Sequence, residues 1–158
     1  MSYVYGRLTN EKLPYKLFIQ NDSSSQKRRL EKFRTDTNSV ILGSGTFWEG
    51  INIEGESLSQ VIIYKLPFPV PDPINEYKMS LSKDPIMEVA VPEMIIKLKQ
   101  GAGRLIRSAA DKGIVSILDP RVNSKSKAAY REMVLNVLPE KNRTESIDEL
   151  QEFWDNIN

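Results

Sequence analysis

The 158-residue sequence contains no cysteine and no histidine. Without cysteine there are no disulfides, no thiolate zinc sites, no cysteine-ligated iron–sulfur cluster and no thiol nucleophile. Without histidine there is no Ser-His-Asp triad, no HExxH zinc site and no imidazole general base. Long apolar runs are lacking as well. None approaches the ~18–20 residues of a membrane span, and the N-terminal MSYVYGRL has no apolar signal-peptide core. The expectation is a cytoplasmic protein with no membrane partner. The side chains left for chemistry are Asp, Glu, Lys, Arg, Tyr and Ser, with the backbone amides. That inventory favours phosphate handling or plain binding.

The chain is 40% hydrophobic and 27% charged, a globular composition. Its length predicts one domain over residues 1–158, and a domain of ~150 residues buries ~70% of the surface its unfolded chain exposes. The net charge is only +1, but the charges are segregated. Residues 26–34 hold Lys27, Arg28, Arg29, Lys32 and Arg34 against Glu31. Residues 97–112 hold Lys97, Lys99, Arg104, Arg107 and Lys112 against Asp111, and the last 19 residues are acidic. Such runs are ordinarily solvated faces, yet local basic patches also suit a phosphate-bearing partner.

Short apolar runs alternate with helical patterns. Strands are predicted at Lys16–Gln20, Ser39–Leu42, Gln60–Leu66 and Ile114–Leu118. The third ends at a proline-rich run beginning Pro67-Phe68-Pro69, which cannot continue a ladder. Helices are predicted at Gln26–Arg34, with Leu30 and Phe33 turned inward and a polar Asn21–Ser25 cap, and at Glu93–Ala109, Lys125–Leu138 and Ile147–Ile157. Residues 74–92 read as irregular or weakly helical. The strands are continuous apolar runs, so the expected fold is α/β, a mostly parallel sheet covered by helices on both faces.

On a helical wheel, Glu93–Ala109 puts Ile95, Leu98, Ala102, Leu105 and Ala109 on one side. Lys97, Gln100, Arg104, Arg107 and Asp111 fall on the other. Arg104 and Arg107 are therefore expected to be exposed together, with Gly101 and Gly103 flanking them. Each glycine inside a helix costs roughly 1 kcal/mol relative to alanine. Keeping two is consistent with bare flanks that let a polyphosphate or another backbone approach. A plain solvated helix face is the bland alternative.

The second candidate is Gly43–Gly55, GSGTFWEGINIEG, which follows a strand where α/β domains place binding loops. Its glycines expose backbone N–H groups to an anion. It is not a Walker A loop, because no GK[ST] follows, and Trp48 occupies the third glycine position of a dinucleotide fingerprint. Phe47 and Trp48 are either core anchors, or they brace the loop or stack on a nucleobase. Lys65 and Arg121 stand at strand ends, where ligand sites of α/β sheets lie.

Taken in order, Phe47-Trp48-Glu49-Gly50-Ile51-Asn52, Val61 to Phe68, Gln100 to Ser108 and Leu118-Asp119-Pro120-Arg121 resemble the second motor domain of superfamily 2 DNA helicases of the DinG/XPD type. Gln100 to Arg107 is similar to helicase motif VI, QxxGRxxR, and Thr46 to Asn52 to motif V. The resemblance runs from about Lys16 to Leu138. It implies a RecA-like, P-loop NTPase-type three-layer lobe. It also implies that ATP with Mg²⁺ binds between two lobes, the other lobe supplying the phosphate loop and the Mg²⁺-binding acids. By position Arg107 resembles the arginine finger at the γ-phosphate, Arg104 its neighbour, and Gln100 a contact near the nucleotide or the attacking water. Glu49, Gly50, Asn52 and Gly103 become nucleotide-side candidates; Thr46, Trp48, Lys65 and Arg121 become nucleic-acid candidates. The implied partners are single-stranded DNA and a first RecA-like lobe.

This sequence departs from the pattern at Asn52, where the family usually has Asp. Met1 is expected to enter just after the strand carrying motif IV. These 158 residues contain no GxxxxGK[ST] and no DEAH-like motif, so by themselves they are not expected to hydrolyse ATP. Two other readings stand beside the motor lobe. One is a non-catalytic nucleic-acid or protein-binding module that keeps the fold, and the other a free-standing α/β enzyme using Lys or Asp chemistry, for which no paired acid/base spacing stands out.

Overall fold

A computed structural model describes residues 14–19, 25–43, 58–105, 113–138 and 142–157. The chain divides into two compact units, Met1–Ser59 and Gln60–Asn158. Among the described residues each contains one parallel strand pair. Helices follow or join the strands, so the chain is α/β, as its continuous apolar runs imply.

In the first unit β1 (Lys16–Ile19) lies parallel to β2 (Ser39–Leu42), with Lys16 opposite Ser39 and Ile19 opposite Leu42. The connection contains α1 (Gln26–Arg34), whose limits match the expected ones. Ser25 caps it, its hydroxyl oxygen accepting from the Arg28 amide at 3.4 Å. Phe33 is buried and meets Phe18 edge-on, ring centroids 6.3 Å apart at 86°. Leu30, Ile41 and Leu58 pack around this pair. Such an aromatic pair contributes about 0.5–1.5 kcal/mol beyond the area it buries. One member of the basic run behaves differently from a solvated face. Arg29 sits four residues before Phe33, hence on the same side, and is buried with it.

In the second unit β3 (Gln60–Ile63) pairs in parallel with β4 (Ile114–Ile117), Gln60 opposite Ile114 and Ile63 opposite Ile117. Both strands are shorter than expected. The amide of Leu66 is taken by a carboxylate of Asp119 at 2.9 Å, and Pro67 has no amide to offer.

The stretch 74–92, read as irregular or weakly helical, is helical over much of its length. It contains most of α2 (Pro73–Ser80) and a π-helical turn, Ile86–Ala90. Asp72 caps α2 by accepting from the Ile74 and Asn75 amides at 2.9 and 3.0 Å. Pro73 occupies the first turn, where a missing N–H costs nothing. Further on, the ring of Pro92 would press on the carbonyl of Glu88 in a regular α-helix. The wide turn, in which the Val91 amide donates to the Ile86 carbonyl, carries the chain past that proline into α3 (Val91–Ala102).

Val91, Met94, Leu98 and Ala102 form the fully buried stripe of α3, which packs on α4 (Arg131–Val137). The predicted helix Lys125–Leu138 is cut to α4 because short polar side chains claim the backbone before it. Asn123 accepts from the Lys125 amide and Ser126 from the Ala128 amide, at 3.0 and 3.2 Å. The last helix, α5 (Ile147–Ile157), has the limits its pattern predicts. No helix among the described residues is long and apolar enough to cross a membrane.

Candidate functional site

The Gln100–Arg104 segment differs from its helical-wheel placement. The helix expected over Glu93–Ala109 ends at Ala102, with Gly103 as its cap. Two glycines within three residues weaken the helix where it must either continue or stop. The Gly103 amide still reaches the Lys99 carbonyl at 2.9 Å. The next two amides, of Arg104 and Leu105, turn back to the carbonyls three residues behind them, at 3.2 and 3.1 Å. The α-helix thus tightens into a 3₁₀-like turn and ends. A Cβ on Gly103 would stand 3.0 Å from the Lys99 carbonyl oxygen, so this turn has little room for a side chain.

Three corrections follow from this termination. Gly101 is buried within the core stripe and leaves no bare flank; Gly103 is the exposed glycine. Arg104 lies in the turn after the helix, not on a continuous polar stripe. It is half-buried, where full exposure was expected, because Leu105 beside it turns into the core. Gln100 is exposed in the last turn of α3. Arg107, Thr46, Trp48, Glu49, Gly50 and Asn52 lie outside the described residues.

At the carboxyl ends of β3 and β4 a second constellation forms, one that the sequence only hinted at. Asp119 is 4% exposed and gathers four hydrogen bonds. The Leu66 amide donates at 2.9 Å and the Arg121 amide at 3.0 Å. The Arg121 side chain adds a two-pronged contact, Nε to Oδ1 at 2.8 Å and Nη2 to Oδ2 at 2.6 Å. The guanidinium also lies 4.8 Å above the Phe68 ring, and Phe68 meets Tyr130 edge-on at 5.5 Å. The Arg121 guanidinium holds the Asp119 carboxyl far below the usual carboxylate range, against the opposing effect of burial; the Leu66 and Arg121 amides add to the lowering. Arg121 in turn is driven further toward its charged form by Asp119.

Arg121 was expected from charge and position; Asp119, Phe68 and Tyr130 as its partners were not. The available signal was local. An Asp at a strand end, before Pro and two residues ahead of Arg, is Asx-turn chemistry. Lys65 precedes the clamped Leu66, is exposed, and forms no ion pair with any described residue.

The donors on this chain are guanidinium, ammonium, carboxamide and backbone N–H groups. They suit the oxygens of a triphosphate, which a planar guanidinium can bind through paired hydrogen bonds. Among the described residues no group of carboxylates could hold a metal ion.

Known proteins share much of this sequence. Residues 1–141 match the family described as helicase C-terminal domain. The chain is 38% identical over 151 residues to the ATP-dependent DNA helicase YoaA of Haemophilus influenzae, covering 92% of this chain and 23% of that protein. It is 37% identical over 129 residues to the 3'-5' exonuclease DinG of Bacillus subtilis, covering 78% and 14% respectively. Against the probable ATP-dependent helicase YpvA of the same organism it is 41% identical over 106 residues, 66% of this chain and 16% of the relative. The chain therefore spans less than a quarter of the length of these relatives. With motif VI and LDPR in sequence order on an α/β chain, and the match covering most of its length, the chain belongs to the helicase C-terminal domain family, of the DinG type.

Proposed function

We propose that this chain acts as the second RecA-like lobe of an ATP-dependent DNA helicase, one domain over its 158 residues. It lends Arg107, Arg104 and Gln100 to ATP seated on a first lobe, and contributes part of the track for single-stranded DNA. The observation that carries this is the termination of α3 at Gly103. It sets Gln100 in the last turn of α3 and Arg104 just beyond its cap, the first exposed and the second half-buried. Charge spread over transferring phosphoryl oxygens is stabilised by such guanidinium groups. Mg²⁺ with ATP would neutralise the β- and γ-phosphates, its ligands coming from the first lobe. Gly103, and Glu49, Gly50 and Asn52 of the glycine-rich loop, are assigned to the nucleotide. Thr46, Trp48 and Lys65 serve the nucleic acid, and the protein works in the cytoplasm.

The 158-residue chain alone is expected to show no ATPase stimulated by single-stranded DNA, since it contains no phosphate loop with Lys and Ser/Thr. Phosphate release above background that disappears in Arg107→Ala would overturn the two-lobe division of labour. Binding to single-stranded DNA is expected to be weak and to fall as salt rises, through release of counterions. The exposed cations Lys27, Arg28, Lys32 and Lys65 motivate this expectation. Fluorescence anisotropy across a salt series measures it, and affinity that stays flat counts against it.

The second reading, a non-catalytic binding module, is favoured by one observation: Asn52 in place of the family's Asp. It predicts that Arg107 can be replaced without affecting any ATPase to which the chain is joined.

A further inference from the structure

Arg121 has the charge and the strand-end position of a phosphate contact, but Nε, one N–H of Nη2 and one face of its guanidinium are already engaged by protein groups. Nε and Nη2 are held by the Asp119 carboxylate at 2.8 and 2.6 Å, and one face of the guanidinium lies on Phe68 at 4.8 Å. Turning it outward would strand a carboxylate that is 4% exposed. What this clamp fixes is the segment leaving β3, because the same carboxylate also takes the Leu66 amide. Immediately before Leu66 stand Tyr64, 51% exposed, and Lys65, exposed with no ion pair among the described residues. An exposed ring and an exposed cation at consecutive positions, next to backbone tied down by a buried carboxylate, suit single-stranded nucleic acid: the ring can stack on a base and the cation can meet phosphate.

Resting on the nucleic-acid reading above, we infer that Tyr64 and Lys65 form the single-strand contact at this end of the β3–β4 pair, and that Arg121 is a positioning residue. Arg121 acts through Asp119 and Phe68 and does not touch the strand.

The test uses the 158-residue chain, an oligothymidine, and two readouts for each variant: the slope of log affinity against log salt, and the melting temperature. Lys65→Gln lowers the slope by about 0.7, the loss of one phosphate contact on a single strand, and leaves melting unchanged. Tyr64→Ala weakens binding about tenfold or more at every salt concentration with the slope unchanged. Arg121→Gln lowers the melting temperature and keeps the wild-type slope. Arg121→Lys, which retains the charge but not the fork, melts in between and is read in the same way if the Gln variant does not fold. A slope lowered by Arg121→Gln as much as by Lys65→Gln overturns the assignment. So does a wild-type slope in Lys65→Gln, or unchanged affinity in Tyr64→Ala. If the wild-type chain binds no oligothymidine at any salt, the nucleic-acid reading and the Tyr64–Lys65 contact fall together. The place of Arg121 in the clamp is then still decided by melting alone.

Discussion

In a two-lobe motor containing this chain, Arg107→Ala is expected to abolish most ATP hydrolysis. Arginine fingers are worth roughly 10³–10⁵ in turnover. Arg107→Lys recovers little, because an ammonium cannot reproduce a planar fork on phosphate oxygens. Nucleotide affinity falls less than turnover, since the interaction strengthens as charge develops in the transition state. Steady-state hydrolysis and nucleotide titration of the assembled motor separate the two effects. Turnover within a few-fold of wild type would remove Arg107 from the finger role. Arg104 is a less clean test. It is half-buried beside Leu105, which enters the core, so its replacement is expected to lower stability as well as turnover. Melting of each variant must be measured alongside its kinetics.

The largest effect on stability is expected at Asp119. Replacing it by Asn keeps the shape but removes the charge that Arg121 grips, and turns an acceptor toward donors as an NH₂ group. Breaking a buried pair costs ~3–5 kcal/mol. Here the Arg121 side chain is 43% exposed and regains water, which places the loss at about 3 kcal/mol. The corresponding fall in melting temperature is roughly 10 °C. The pH dependence has a definite sign. The folded state lowers the Asp119 pKa below its unfolded value. Its stabilisation is therefore complete at neutral pH and fades as pH drops below ~4, where the unfolded carboxyl takes up its proton. Urea unfolding of wild type and Asp119→Asn at pH 7, 5 and 3 should show a gap that narrows on acidification. A gap independent of pH, or none at pH 7, would show that the carboxylate is not what holds these strand ends.

Much of the secondary structure was legible because it rests on local patterns. The apolar runs at Leu17–Ile19 and Val40–Leu42, and the spacing of Leu30 and Phe33, define β1, β2 and α1 without reference to anything distant. The misreadings have identifiable causes. Residues 74–92 read no further than irregular or weakly helical, although Asp72-Pro73 is itself a helix start, with a cap followed by a residue that needs no amide. The wheel ran through Gly101 and Gly103 because apolar periodicity continued at Leu105, while the backbone had already turned at Gly103. The motif residues proposed for the site came from the resemblance to helicase motifs V and VI, and Arg107 and the glycine-rich loop lie outside the described residues. The Asp119–Arg121 fork is local, but its tie to the Leu66 amide could not be read, because Leu66 and Asp119 meet across 53 residues of chain and depend on the pairing of β3 with β4.

The wide turn at Ile86–Ala90 and Pro92 have become mutually dependent. If a single residue were lost from that turn, the backbone would close to an ordinary α-helical pitch and bring the Pro92 ring against the carbonyl four positions back, a conflict of ~3 kcal/mol or more. With alanine at position 92 the conflict does not arise, and the shortened helix can run unbroken into α3. The two changes are thus epistatic. A one-residue deletion in this turn is expected to cost more stability with Pro92 in place than with alanine at that position, and the melting temperatures of the single and double variants measure that coupling.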